Sequence, residues 1–151
     1  MRWEDKTLSE CTASEALEFA KLRTDIYFLE QSITEEEIDA WDFHPRTRHI
    51  WVRDGEKVVG YVRVVHADQA PEDDRGVTTS IGRLVVHADY RGRGLARQLM
   101  ERAIAAAGPG PIVLHAQTYI QSLYASLGFV AFGEVFDEAG IEHIRMLRPE
   151  Q

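Results

Sequence analysis

The fold of this chain is decided by the stretch Leu84-Val85-Val86-His87-Ala88-Asp89-Tyr90-Arg91-Gly92-Arg93-Gly94-Leu95-Ala96-Arg97. The apolar residues before His87 are typical of a strand end, and an amphipathic helix begins at Leu95. The first turn of a helix has backbone N–H groups without partners inside the helix, at the positive end of the helix dipole. The turn between strand and helix is therefore expected to bind an anion such as a phosphate ester.

The side chains of this turn suit a phosphorylated cofactor. Gly92 and Gly94 lack a Cβ atom, so the main chain can approach a pyrophosphate closely. Arginine side chains add charge-assisted donors around it. The expected phosphate-binding residues are Arg91, Gly92, Arg93, Gly94, Leu95, Ala96 and Arg97. The alternative interpretation is a solvated loop rich in arginine and glycine.

The turn has the pattern Arg91-x-x-Gly94-x-Ala96, which matches neither the dinucleotide fingerprint nor the P-loop. It resembles the signature of the GCN5-related N-acetyltransferases (GNAT), a strand followed by Arg/Gln-x-x-Gly-x-Gly/Ala and a helix. The resemblance implies that the pyrophosphate of acetyl-CoA lies on this turn.

A second element lies some thirty residues downstream, where Tyr119–Leu127 is predicted to form a short helix closed by Gly128. The spacing Tyr124-x-x-x-Gly128-Phe129 resembles the family pattern in which a tyrosine hydroxyl faces the departing sulfur of coenzyme A. Expulsion of a thiolate is assisted by a positioned proton donor, and a phenol can be that donor. The alternative is that Tyr124 is an ordinary core residue.

The remaining matches point to one subfamily. The tail Gly133–Met146, together with Leu22-Arg23, Glu30-Gln31 and His115-Ala116-Gln117, resembles the ElaA-like proteins, small bacterial proteins of this fold whose acceptor is not well defined. Gln117 stands where the wider family commonly has an asparagine that contacts the pantetheine arm. A longer amide can still donate and accept hydrogen bonds.

The resemblance implies an α/β (α+β) fold with a single domain over residues 1–151. We expect a mixed, mostly antiparallel sheet of about six to seven strands with a central splay, flanked by about four helices. The splay separates the strand before the turn from the strand that ends near His115. It would leave backbone groups of Leu84, Val85 and Val86 unpaired within the protein and available to pantetheine amides.

Local sequence patterns predict the helices, strands and turns of the chain. Thr12 and Glu15 have capping-box spacing, which predicts a helix from Thr12 towards Leu29. The pair Asp54-Gly55 predicts a two-residue hairpin turn. The other predicted elements are an acidic helical turn at Thr34–Ala40, strands at His49–Arg53, Lys57–Val65, Thr79–His87 and Ile112–Ala116, a helix from Leu95 to Ala107, and two strands around Asp137–Gly140.

Composition limits the partners. The net charge of −8 and isoelectric point near 5.2 argue against nucleic acid as the main partner. No apolar run is long enough to span a bilayer, and the acidic start is not a secretory signal, so we expect no membrane partner and a cytoplasmic location. Cys11 is the single cysteine, which excludes an internal disulfide, and we expect no metal site.

The chemistry implied by the resemblance is direct transfer of an acetyl group from acetyl-CoA to an amine. The amine must be neutral to attack, and His115 is the nearest titratable candidate for its base, although a histidine on an apolar strand is more often a core residue. The acidic stretch Glu35–Asp42 borders the acceptor cleft in similar proteins. A solvated helical face is the favoured interpretation of that stretch.

Two other functions stay open. One is a non-catalytic acyl-CoA sensor with the same fold, and the other is an interaction module that binds no cofactor. The expected partner is a small-molecule or peptide amine acceptor, and a homodimer is compatible with exposed strands at the sheet end.

Overall fold

The computed structural model describes all residues 1–151 and centres on one seven-stranded sheet. The strands are β1 (Arg2–Lys6), β2 (Arg48–Asp54), β3 (Lys57–His66), β4 (Thr79–Val86), β5 (Ile112–Gln117), β6 (Val130–Glu138) and β7 (Ile141–Arg148). Their order in space is β1-β2-β3-β4-β5-β7-β6. Every neighbouring pair is antiparallel except β4 and β5, which are parallel. This is the mixed, mostly antiparallel sheet that the sequence predicted.

The first helix, α1 (Ala13–Thr24), begins at the predicted capping box. The Glu15 N–H donates to Thr12 Oγ1 at 3.1 Å, and the Thr12 N–H donates to Glu15 Oε1 at 2.8 Å. The two side chains thus satisfy N–H groups that the helix leaves open. The chain continues as a π-helical segment, Asp25–Glu30, so the helical region ends close to the predicted Leu29.

Two further helices complete the three α-helices of the fold. Helix α2 (Leu95–Ala107) buries Leu99, Met100 and Ala103 in the main core, against side chains of the sheet. Helix α3 (Gln121–Ser126) follows a 3-10 turn at Thr118–Ile120. The apolar stripe of α2 gives its packing face, since residues three and four apart lie on the same side of a helix.

The central splay lies between β4 and β5. These strands pair at a single position, Ser80 with Val113, and diverge after it. Within β4 the register against β3 shifts, and Arg83 takes φ of 57°, in the left-handed region. Such a bulge bends a strand away from its neighbour. The second half of β4 therefore has a partner on one side only.

Several elements differ from the sequence predictions. The prediction of an acidic helical turn at Thr34–Ala40 is wrong: residues 34–39 are non-helical, and a 3-10 turn forms at Ala40–Phe43 instead. The Asp39 carboxylate accepts the Trp41 N–H at 3.0 Å, which starts that later turn. The hairpin turn is Gly55-Glu56, because Asp54 pairs with Lys57. Strand β1 was not predicted, since Trp3 is its single apolar residue.

Candidate functional site

The turn before α2 presents a row of free backbone donors. Gly92 and Gly94 have φ of 76° and 78°, and the first N–H of this region that bonds back to the helix is that of Gln98, to the Gly94 carbonyl at 3.2 Å. None of the backbone N–H groups from Gly92 to Arg97 donates to a protein acceptor. A Cβ added at either glycine would meet nothing within 4 Å. The turn therefore has open space at both glycines and N–H donors without protein acceptors, as an anion site requires.

The three arginines of the turn are tethered to the surrounding protein. Arg91 forms an ion pair with Glu30 at 2.8 Å, and its Nε donates to the Val86 carbonyl at 3.1 Å. Arg93 donates to the Asp89 carbonyl at 3.1 Å, and Arg97 donates to Ser126 Oγ at 2.9 Å. Because Glu30 offsets the charge of Arg91, the positive field at the turn comes mainly from Arg93, Arg97 and the helix dipole.

The gap between β4 and β5 reaches from this turn into the sheet. Val85 and Val86 pair with β3, but no residue after Ser80 pairs with β5. At the inner end of the gap a cavity of about 60 Å³ is lined by residues that include Leu84, Gln117 and Tyr124.

The amide of Gln117 closes this gap on one side. Gln31 Nε2 donates to Gln117 Oε1 at 3.4 Å, and Gln117 Nε2 donates to Gln31 Oε1 at 3.3 Å. These long, neutral hydrogen bonds are weak, so either amide could exchange its partner for a ligand amide.

Tyr124 lies on α3 with 7% of its surface exposed, and its ring packs edge-on against Phe129 at 6.3 Å between centroids. Of the five tyrosines, Tyr61 and Tyr90 hydrogen-bond through their hydroxyls to protein groups, and Tyr124 does not. Burial, with smaller contributions from Tyr27 and Tyr119, raises the pKa of Tyr124. The phenol therefore keeps its proton at neutral pH and has it free to donate.

A larger cavity of about 460 Å³ also lies beside β4 and β5. Most of its charged lining is acidic: Glu35, Glu36, Glu37, Asp39, Asp74 and Glu138 face it together with Arg63 and Arg83. We call this space the outer cavity and the smaller one the inner cavity. They share the lining residues Tyr27, Ile81, Gly82, Arg83, Leu114 and His115, so the two cavities meet at the splay.

The acidic stretch is only in part a solvated face. Glu35 and Glu36 are exposed at the outer cavity and form no ion pair, whereas Glu37 and Asp39 pair with arginines. Asp42 is buried and meets Arg23 at 2.6 Å. The acidic stretch therefore contains two carboxylates without ion pairs and three that pair with arginines and stabilise the wall of the outer cavity.

Asp42 anchors a buried ion network under this wall. Arg23 donates to both of its oxygens, at 2.6 and 3.0 Å, and Arg63 lies 3.1 Å from it. Burial opposes ionisation, but the hydrogen bonds from Arg23 and the charges of Arg63 and Arg23 prevail and lower the pKa of Asp42 to about 2. Sequence reasoning missed this network, although an arginine inside the apolar strand run Val58–Val65 signals a buried pair.

His115 lies at the junction of the cavities, but both of its ring nitrogens are engaged. Nδ1 is 3.0 Å from Glu138 Oε1, and Nε2 is 3.0 Å from Asp74 Oδ1. Burial alone would lower the pKa of His115, but these two carboxylates outweigh it and raise the pKa. A base needs a free ring nitrogen in the neutral state, so the geometry does not support His115 as the amine's base.

The other candidate groups have no visible chemical role. No group of three or more histidine, cysteine or acidic side chains has an arrangement that could hold a metal ion. Cys11 Sγ donates to the Thr7 carbonyl at 3.4 Å, and burial raises the pKa of its thiol. None of the helices has both the length and the apolar character needed to cross a membrane.

Comparison with known proteins identifies the family. Residues 11–148 match the acetyltransferase (GNAT) domain family. The chain is 31% identical to protein ElaA of Escherichia coli, over 98% of this chain and 96% of ElaA. The crystal structure of Escherichia coli ElaA superposes with a TM-score of 0.87 at 30% identity, covering 97% of this chain and 98% of that one. An acyl-CoA N-acyltransferase from Pseudomonas aeruginosa superposes with a TM-score of 0.85 at 36% identity, with the same coverage. The chain therefore belongs to the GNAT acetyltransferase family and is a homologue of ElaA.

Proposed function

We propose that this protein is an N-acetyltransferase that moves an acetyl group from acetyl-CoA directly to a primary amine. One observation carries the proposal: the free N–H groups from Gly92 to Arg97 follow the half of β4 that has no partner in β5, and the inner cavity beside that strand is lined by Tyr124, whose hydroxyl has no protein partner. Acetyl-CoA carries a pyrophosphate and a thioester that are joined by the extended pantetheine arm. In this arrangement the pyrophosphate meets the N–H groups, the arm lies in the gap, and the thioester reaches Tyr124.

The turn before α2 binds the pyrophosphate, through the backbone of Arg91–Arg97 and the side chains of Arg93 and Arg97. The pantetheine arm lies along β4, where the backbone groups of Leu84–Val86 that face β5 have no strand partner, although the Val86 carbonyl already accepts a hydrogen bond from Arg91. Such groups gain most from a ligand amide because a buried backbone group needs a partner. Gln117 offers a side-chain amide to the same arm.

The reaction takes place where the two cavities meet. The lone pair of a neutral amine forms a bond to the thioester carbonyl carbon, and the carbonyl electrons move onto oxygen. When the intermediate collapses, the C–S bond breaks and the sulfur takes the proton of Tyr124, which regains one from water. The proton of the attacking nitrogen leaves to water, since His115 is already held by two carboxylates.

The amine enters through the outer cavity. Its free carboxylates, Glu35 and Glu36, attract a cation, and the open volume of about 460 Å³ admits an extended molecule. A small-molecule amine, a polyamine or a peptide N-terminus fits this description.

An acetyl-CoA consumption assay across spermidine, lysine, an aminoglycoside and a short peptide tests the proposal. We expect release of free coenzyme A with at least one amine, and a rise in melting temperature when coenzyme A is added, because a ligand of the folded state stabilises it. Stabilisation without consumption would instead indicate an acyl-CoA sensor. The absence of both would indicate an interaction module.

A further inference from the structure

Tyr27 lines both cavities and so lies at the junction between them. Three of the six residues that line both cavities carry a polar side chain: Tyr27, Arg83 and His115. Arg83 donates to the Glu37 carbonyl at 3.0 Å and to Asp39 at 3.2 Å. His115 is held at both ring nitrogens. The Tyr27 hydroxyl makes no hydrogen bond to the protein, so it is the uncommitted polar side-chain group at this junction.

The backbone and the packing around Tyr27 hold it in place. Tyr27 lies in the π-helical segment that follows α1, and its carbonyl accepts the Ile33 N–H at 2.8 Å. The wider π-turn changes the angle at which side chains leave the helix, and such turns are frequent at functional sites. The ring packs beside the second core cluster, which includes Ile26 and Val85, and this packing fixes its position.

The electrostatic surroundings keep Tyr27 a neutral phenol. Burial raises its pKa to about 12, although Arg83 and Arg23 act in the opposite direction. Tyr27 and Tyr124 both line the inner cavity, and the charge of Tyr27 contributes to the raised pKa of Tyr124. A neutral hydroxyl can accept one hydrogen bond while its own hydrogen points elsewhere.

We propose that Tyr27 is a second catalytic residue, whose hydroxyl oxygen accepts a hydrogen bond from the N–H of the attacking amine and so aims the nitrogen lone pair at the thioester carbon. This inference rests on the proposed acetyl transfer. The balance is unchanged: the N–C bond forms, the C–S bond breaks, Tyr124 gives its proton to sulfur, and the surplus proton of the nitrogen passes to water. Tyr27 gains and loses no proton.

Steady-state kinetics of Tyr27→Phe test this role, with acetyl-CoA and the amine that the wild type acetylates fastest. We expect kcat/KM for the amine to fall about 10-fold, as the loss of one neutral hydrogen bond implies. KM for acetyl-CoA and the thermal stabilisation by coenzyme A should stay within twofold of the wild type. Tyr119→Phe is the matched control, because Tyr119 is 72% exposed, its hydroxyl is also free of protein partners, and it lines neither cavity.

The outcomes separate the two proposals. An active wild type whose kcat/KM for the amine is unchanged in Tyr27→Phe overturns the role of Tyr27 and leaves the proposed function intact. A wild type that acetylates no amine overturns the proposed function and this inference with it. If Tyr27→Phe does not fold, 3-fluorotyrosine can replace Tyr27 instead, because its hydroxyl is a weaker hydrogen-bond acceptor. We expect this replacement to lower kcat/KM for the amine. An unchanged value overturns the role of Tyr27.

Discussion

Tyr124 can be tested by removing a single oxygen atom. In Tyr124→Phe we expect kcat to fall about 100-fold, because general acid assistance to a leaving group is typically of this size. Stability and coenzyme A affinity should change little, since the hydroxyl has no protein partner and the ring that packs on Phe129 remains. Initial rates of coenzyme A release, with calorimetry for coenzyme A binding, measure both quantities. A variant that keeps the wild-type kcat would remove Tyr124 from the mechanism.

Asp42 shows how much one buried carboxylate contributes to folding. In Asp42→Ala the guanidinium groups of Arg23 and Arg63 stay buried, while Arg23 loses two hydrogen bonds to Asp42 and Arg63 loses an ion pair with it. Arg23 keeps its ion pair with Glu37 and Arg63 keeps the one with Asp39. We therefore expect the free energy of unfolding to fall by about 3 kcal/mol, the lower end of the usual cost of breaking a buried ion pair. Urea denaturation measures this loss.

Asp5→Ala is the control for that measurement. Asp5 also pairs with an arginine, Arg48, at 2.8 Å, but both side chains are about 40% exposed. Solvent screens such a pair, so we expect a loss of at most about 1 kcal/mol. Equal losses in the two variants would mean that the buried network does not support the cavity wall.

The turn before α2 is the element that separates ligand binding from folding. In Gly94→Ala the alanine has to adopt the φ of 78° that Gly94 has, and its Cβ points into open space. We expect a destabilisation of about 1 kcal/mol from the left-handed backbone. We also expect coenzyme A to bind at least about 10-fold more weakly, because the Cβ keeps the pyrophosphate from the N–H groups, a loss of about 1.4 kcal/mol.

Gly55→Ala provides the matched control at the hairpin turn. Gly55 has φ of 62°, and a Cβ there also meets nothing within 4 Å. Its stability loss should resemble that of Gly94→Ala, while calorimetry should show unchanged coenzyme A affinity. If both variants bound coenzyme A equally well, the turn would not be the pyrophosphate site.

Elements with local signals were predictable, and elements set by distant partners were not. The capping box at Thr12 and the apolar stripe of α2 act within a few residues, and both predictions are confirmed. The segment Thr34–Ala40 has a composition that allows a helix, but Glu37 and Asp39 pair instead with Arg23 and Arg83, far away in sequence. Long-range ion pairs of this kind leave no periodic pattern to read.

The same distinction holds for the site as a whole. The motifs at Arg91–Ala96 and Tyr124–Phe129 are short, so sequence could name them as candidates. The outer cavity is lined by the π-helical segment after α1, the acidic stretch, the loop before β4, strands β3, β4 and β5, and the β6–β7 hairpin. No single segment of the sequence therefore indicates it. His115 illustrates the difficulty, because its two carboxylate partners are 41 and 23 residues away in the chain.

His115 joins three parts of the molecule around the outer cavity, and pH can test this link. Its imidazole connects β5 to Asp74 in the loop before β4 and to Glu138 at the end of β6. Arg145 lies 3.3 Å from Asp74, and His143 lies 3.6 Å from Glu138. The folded pKa is raised above 6.5, so the stabilisation is fully present below pH 6.5 and is lost as pH rises through the folded pKa.

We therefore expect an NMR titration of the His115 ring to give a midpoint above 6.5, and Glu138→Gln to lower it by removing one carboxylate. Glu142→Gln is the control, because Glu142 is exposed on the same hairpin and bonds to Thr118 instead. The stability difference between wild type and His115→Gln should reach no more than about 1 kcal/mol, since Glu138 is partly exposed and solvent screens the pair. It should shrink as the pH rises through the measured midpoint. A midpoint at or below 6.5, or one that Glu138→Gln leaves in place, would show that the three segments are held together by packing and not by this imidazolium.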